Sequence, residues 1–155
     1  MTRVLGIDPG THRLGWAVID RVSARSNLVA CDCLELPKNT QASQYLLAIH
    51  THIESLLLKY NPDKIGIETL FTQKNLKTAT QVAQARGVIL YTFAKHDYTG
   101  IELSPNTVKS TVAGAGNAGK DEVARMVGLL LQIDTNQLLD DMTDALAIAL
   151  TAQTL

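Results

Sequence analysis

Two short apolar runs, Val4-Leu5-Gly6-Ile7-Asp8 and Lys64-Ile65-Gly66-Ile67-Glu68, each end in a carboxylate. Both read as β-strands, and ligands of open α/β sheets bind beyond the carboxyl ends of the strands. Alone, Asp8 before Pro9-Gly10 is a turn residue; glutamate is a poor turn former, so Glu68 fits that account less well. A third group of acids lies at Asp140, Asp141 and Asp144. On a helix these fall within an arc of about 100°, with Asp141 and Asp144 stacked on adjacent turns. The helix dipole accounts for acids in a first turn, but Asp144 lies deeper and heads residues 145–150, which are apolar nearly all round. Such a helix is buried, and crowded carboxylates beside it need a cation. Hard oxygen donors favour Mg²⁺, with Mn²⁺ as a substitute, over Zn²⁺. Two ions about 3.5–4 Å apart are the usual apparatus for in-line attack of water on a phosphodiester. One acidifies the attacking water and the other stabilises the leaving 3′ oxygen.

The elements that must position these acids can be read from hydropathic period. Residues 3–8, 13–20 and about 28–36 predict three short-linked strands in an antiparallel meander, with a polar turn over 21–27. From 41 to 60 the period becomes helical through Leu46, Ile49, Ile53, Leu56 and Leu57, and Asn61-Pro62 ends that helix. A fourth strand at 63–68, a long helix at 75–96 and a fifth strand at 99–103 follow. Ser104-Pro105 opens the next helix with a cap and a proline at its first position. The loop at 114–119 leads to a helix with Val123, Met126, Val127 and Leu130 on one face, and the last helix covers about 139–152. The order predicts an α/β fold: a mixed five-stranded sheet flanked by helices, forming one domain over 1–155.

Composition sets the outer bounds. The 155 residues are 46% apolar and 19% charged, with 14 Lys+Arg against 15 Asp+Glu for a net charge of −1. A domain of this length buries roughly 70% of its unfolded surface, so it needs no staples. The apolar content excludes disorder, and no self-similar period supports a repeat array. No apolar run reaches the ~18 residues of a membrane helix. Met1-Thr2-Arg3-Val4 leads straight into a strand, which predicts a cytoplasmic protein without a leader. Cys31 and Cys33 read as reduced thiols, since C-x-C alone makes neither a disulfide framework nor a zinc site. Near-neutral charge excludes a general DNA coater, so any nucleic-acid contact must rest on local patches.

Five segments stand in register: Gly6-Ile7-Asp8-Pro9-Gly10-Thr11 with Gly15-Trp16; Ile67-Glu68 with Phe71 and Lys74-Asn75; Gln84-Ala85-Arg86-Gly87; Val108-Lys109 with Val112 and Gly114; and Asp141-x-x-Asp144-Ala145-Leu146-Ala147. Together they resemble the RuvC family of Holliday-junction resolvases. The resemblance implies an RNase-H-like fold, a homodimer, and Mg²⁺-dependent cleavage of four-way junctions in recombination and repair. It implies paired symmetric nicks that leave 5′ phosphates and 3′ hydroxyls, and partnership with the RuvA–RuvB branch-migration complex. Carried over position by position, the catalytic and metal-binding residues are Asp8, Glu68, Asp141 and Asp144. Asp140 is then a helix cap or a supporting acid beside the four. The long helix carries Leu76, Ala79, Ala83, Val88, Leu90 and Tyr91, more apolar surface than one sheet face requires, and the resemblance makes it the dimer helix.

The same resemblance gives the DNA contacts. Phe71, in a polar loop after Glu68, would stack on an unpaired base at the crossover, worth roughly 1–3 kcal/mol; its alternative is a loop anchor. Lys74 and Lys77 flank it, and Lys109 and Lys120 match family positions near the scissile phosphate. Arg86 is open between a surface, a dimer-interface and a DNA-contact role. All four histidines default to solvated surface. Two other readings stay in view: a related nuclease of this fold acting on RNA or other branched DNA, and an actin-like or sugar-kinase phosphate lobe suggested by Asp8-x-Gly10-Thr11. The latter needs two lobes and leaves Asp141 and Asp144 idle. Residues 114–120 nearly spell a P-loop, but Asp121 replaces the required hydroxyl and a helix, not a strand, precedes it.

Overall fold

The computed structural model describes residues 1–10, 12–69 and 76–155, the side chains of 76–78 excepted. Five strands form one sheet in the order β3-β2-β1-β4-β5: β1 (Thr2–Pro9), β2 (Arg13–Val22), β3 (Arg25–Glu35), β4 (Lys64–Glu68) and β5 (Gly100–Leu103). The first three pair antiparallel, as a meander does; β4 joins β1, and β5 joins β4, in parallel. Helices α1 (Ala42–Tyr60) and α2 (Leu76–Lys95) cross over between the parallel strands, and α3 (Pro105–Ala113), α4 (Lys120–Leu131) and α5 (Asp140–Ala152) follow.

Local chemistry sets several boundaries. The Ser104 hydroxyl accepts the Thr107 N–H at 3.1 Å and Pro105 occupies the first helical position, so α3 starts where the sequence says. Gly114 ends it at φ 79°, where an L side chain is disfavoured. The expected turn over 21–27 is tighter than the polar composition implies. Pairing continues to Val22↔Arg25, and Ser23 at φ 57° makes the reversal. This end of the hairpin is largely exposed, so polar side chains do not interrupt the backbone ladder. A short 3₁₀ turn, Thr135–Gln137, was not anticipated; the Asp134 carboxylate caps it by accepting the Asn136 N–H at 3.0 Å.

The sheet carries a core on each face. Leu5, Ile7, Trp16, Ile65 and Ile67 pack with Ile49, Ile53, Ile89 and Phe93 of α1 and α2. Val4, Ala17 and Ile19 pack with Val108, Val123, Val127, Leu146 and Ile148 on the other side. Side chains alternate along a strand, so Leu5 and Ile7 pointing to α1/α2 put Gly6 and Asp8 on the α5 face. By the same count Ile65 and Ile67 leave Gly66 and Glu68 on that face. Each acid is therefore preceded by a glycine two residues earlier on its own side.

Those glycines seat α5. A Cβ at Gly6 would collide with the Ala145 carbonyl, and one at Gly66 would lie 2.8 Å from the Ala152 Cβ. On β2, Gly15 pairs with Asp8, and a Cβ there would collide with the Asp141 carbonyl. The helix thus lies directly on the sheet, and residues 145–152 are buried all round, as their composition predicts. Its first turn is held against the ends of β1 and β2.

Two expectations about helices fail. His50, His52 and His96 do not lie on a solvated surface. The His50 Nδ1 lies 2.8 Å from the Thr92 hydroxyl, His96 Nε2 lies 2.8 Å from a Glu54 oxygen, and His52 packs against Trp16. A seam between two neighbouring helices recruits polar residues that a single-helix periodicity assigns to solvent. Along α2, Val88 and Leu90 belong partly to the core, whereas Ala83, Gly87, Tyr91 and Ala94 are exposed. Among the described side chains of α2, Val88 and Leu90 therefore contribute less to the outward surface than the sequence reading supposed.

Candidate active site

Asp8 and Glu68 stand at the ends of adjacent parallel strands, and Asp141 and Asp144 on the first two turns of the helix laid over them. Their electrostatics show that they converge. Burial raises the Asp8 carboxyl to about 8, and the charges of Glu68, Asp144 and Asp141 add to the rise. Glu68 is raised by burial and then by Asp144. Asp144 is raised by burial too, with Asp140 and Asp141 contributing, while Lys120 pulls it down. Among the described residues no three of these groups close into a metal-ligating cluster.

Cations border the acids. Lys120, the first residue of α4, lies 3.5 Å from an Asp144 oxygen and 3.7 Å from an Asp140 oxygen. Its own ammonium is held protonated above the usual range, mainly by Asp144. Its side chain is 70% exposed, so it can move toward a bound anion. Lys109 lines a cavity of about 290 Å³ with Glu68, Lys120 and Asp144, floored by Val108, Val123 and Ile148. Asp140 does not cap α5: Leu139 holds the cap position without a side-chain bond, and the Asp140 carboxylate pairs with Lys120 instead. The loop at 114–120 follows α3 and delivers Lys120 to the acids, which is its role in place of a P-loop.

Phe71 and Lys74 lie outside the described residues, and of Lys77 only the backbone, in the first turn of α2, is described. Arg13, which the sequence reading did not single out, and Arg86, whose role it left open, both border the site. Arg13 lies 3.6 Å from Asp141 and 3.2 Å from Glu35, its neighbour across the β2–β3 pair. Arg86 is buried, and its guanidinium donates to the Glu68 backbone carbonyl at 2.7 Å. Strand register would have been needed to foresee the first, and the packing of α2 on the sheet to foresee the second.

The donor set fits a hard divalent cation. Its four carboxylates offer hard oxygen donors, and added positive charge would favour the ionised form of the buried Asp8, whose carboxyl is otherwise pushed up to about 8. The family model for crossover junction endodeoxyribonuclease RuvC matches residues 4–152. The chain belongs to the RuvC family. It is 39% identical over 147 residues to RuvC of Halothermothrix orenii, covering 95% of this chain and 89% of that one. It is 41% identical over 146 residues to RuvC of Brachyspira hyodysenteriae, covering 94% and 90%. Among solved structures, Thermus thermophilus RuvC in complex with a Holliday junction substrate superposes with a TM-score of 0.90 at 29% identity, over 97% of this chain and 92% of that one. The fold is RNase-H-like, and the expected mixed five-stranded sheet is the RuvC sheet.

Proposed function

We propose that this RuvC-family chain resolves four-way (Holliday) DNA junctions by paired, symmetric, Mg²⁺-dependent nicks. The products would carry 5′ phosphates and 3′ hydroxyls, for recombination and repair. The observation that carries this reading is the convergence of two strand-end acids and two helix acids on one sheet face, in a chain that matches RuvC over 4–152. The junction bound by the Thermus relative supports the substrate class.

Asp8, Glu68, Asp141 and Asp144 would hold the metal, Mg²⁺ or in its place Mn²⁺, as two ions per site. Bound there, such ions acidify water and neutralise charge on the phosphodiester. The chain's own residues do the rest. Asp8 is buried with the other acids as neighbouring charges, so a cation bound there would favour its ionised form. Lys120 and Lys109 border the same cavity and would meet the phosphate, where a cation stabilises charge that grows in the transition state. Phe71, Lys74 and Lys77 would contact DNA near the crossover, as the family resemblance implies.

The exposed Ala83, Gly87, Tyr91 and Ala94 on α2 would seat a second copy of the chain. A two-fold dimer matches the two-fold junction and puts one site near each opposed strand. The family resemblance implies the RuvA–RuvB complex as partner, with residues 1–155 acting as one nuclease domain in the cytoplasm. Among the described residues no helix is long and apolar enough to cross a membrane.

The test is cleavage of a synthetic four-way junction beside linear duplex and an RNA–DNA hybrid, each with Mg²⁺ and with EDTA. Paired nicks in the junction alone, lost in EDTA, are expected. Preferential cutting of the hybrid or the duplex would keep the carboxylate site and contradict the substrate.

A further inference from the structure

The carboxyl end of β4 has a neighbour outside the four acids. Arg86, midway along α2, is only 8% exposed, and it sits beside the fully buried Ala85. Its Nη1 donates to the Glu68 carbonyl, and its Nη2 pairs with Glu102 Oε2 at 2.5 Å. A guanidinium at such a position costs desolvation that an apolar residue would avoid, unless its geometry is used. The carbonyl it meets lacks a ladder donor. Pairing of β4 with β1 stops at Ile7↔Ile67, and β1 then ends in Pro9, which has no N–H. Glu102 lies opposite Ile67 on β5, so the planar fork holds the ends of two strands from one helix. Lysine would bring the charge without two divergent donors.

We propose that Arg86 is a positioning residue: by fixing the backbone at Glu68 it aims the Glu68 carboxylate at the metal site. The inference rests on Glu68 being a metal ligand, and it answers what Arg86 does. Glu102 completes the device by holding the guanidinium in place.

Arg86→Gln, Arg86→Lys and Glu102→Gln, with Glu68→Gln as control, would be compared as full chains by Mn²⁺ titration calorimetry, junction binding in EDTA, and the Mg²⁺ dependence of cleavage. Losing a group that orients a metal ligand weakens metal binding by about 10–100-fold, and that is expected of Arg86→Gln. Cleavage should shift to correspondingly higher Mg²⁺, with junction affinity in EDTA unchanged. Arg86→Lys should recover part of the loss, and Glu102→Gln should show a smaller loss in the same direction. Wild-type Mn²⁺ affinity in both Arg86→Gln and Glu102→Gln, beside a defective Glu68→Gln, would overturn the positioning role alone. Weakened junction binding with unaltered Mn²⁺ affinity would also overturn it, by making Arg86 a DNA contact. A Glu68→Gln variant that binds Mn²⁺ and cuts like the wild type would instead remove the metal-ligand reading underneath. If Arg86→Gln does not fold by circular dichroism, Glu102→Gln decides on the same criteria.

Discussion

The two ends of β1 treat charge in opposite ways. At its start, Arg3 meets Asp20 through two bonds of 2.8 Å, donates to the Tyr60 carbonyl, and offers its backbone N–H to Asp63. The Asp20 carboxyl is accordingly held below its usual range, first by the Arg3 hydrogen bond. At its other end, five residues on, Asp8 is buried among acids and pushed up to about 8. At one end an arginine fork pairs the carboxylate within the chain; at the other the buried acid has other acids as its nearest charges, which is the pattern proposed above to serve a cation.

The sharpest way to break the comparison is to remove the acid at the unsatisfied end. Asp8→Asn should reduce junction cleavage to the level of buffer alone while junction binding persists, read by gel assays of both. Retained cleavage would mean the acids are structural after all. Next in size is Gly15→Ala, whose new Cβ meets the Asp141 carbonyl. Overpacking of this kind costs about 1–3 kcal/mol, measurable by urea unfolding. Because the displaced segment carries Asp141, cleavage should fall even at temperatures where the variant is fully folded. The smallest effect is expected at the satisfied end. Asp20→Asn should lower the melting temperature modestly and leave cleavage unchanged under folding conditions, since Asp20 acts only through Arg3.

Much of this was legible in the sequence, and the reasons are specific. The run ending in Asp8 and its counterpart ending in Glu68 announce themselves by strand period and terminal acid, and α5 by apolar residues all round behind Asp144. All three positions lie where the reading put them. The glycine two residues before each strand acid was visible as a pattern, but its use, letting α5 lie on the sheet, depends on a helix distant in sequence. Arg86 and Arg13 depend on the same long-range geometry, one through α2 and one through strand register. His50 and His96 were misassigned because the α1–α2 seam belongs to neither helix alone, and His52 because its packing on Trp16 depends on how α1 lies on β2. Of the two readings of Asp140, a cap or a supporting acid, the cap does not hold, because the helix begins one residue earlier than that role requires.

If a divalent cation is what the acids around Asp8 serve, it offsets the cost of holding them together. The measurement is melting temperature against pH, with EDTA and with Mg²⁺, for wild type and Asp8→Asn. Asp8 titrates near 3.9 when unfolded and about 8 when folded, so the folded state favours its proton. The Asp8 contribution to stability in EDTA should therefore be fully present below about pH 4, be lost as pH rises through about 8, and level off above. Asp8→Asn should flatten that decline, exceed wild type in EDTA at pH 8, and gain less from Mg²⁺. A wild type that is insensitive to Mg²⁺ at pH 8, or an Asp8→Asn variant less stable than wild type in EDTA, would contradict the account.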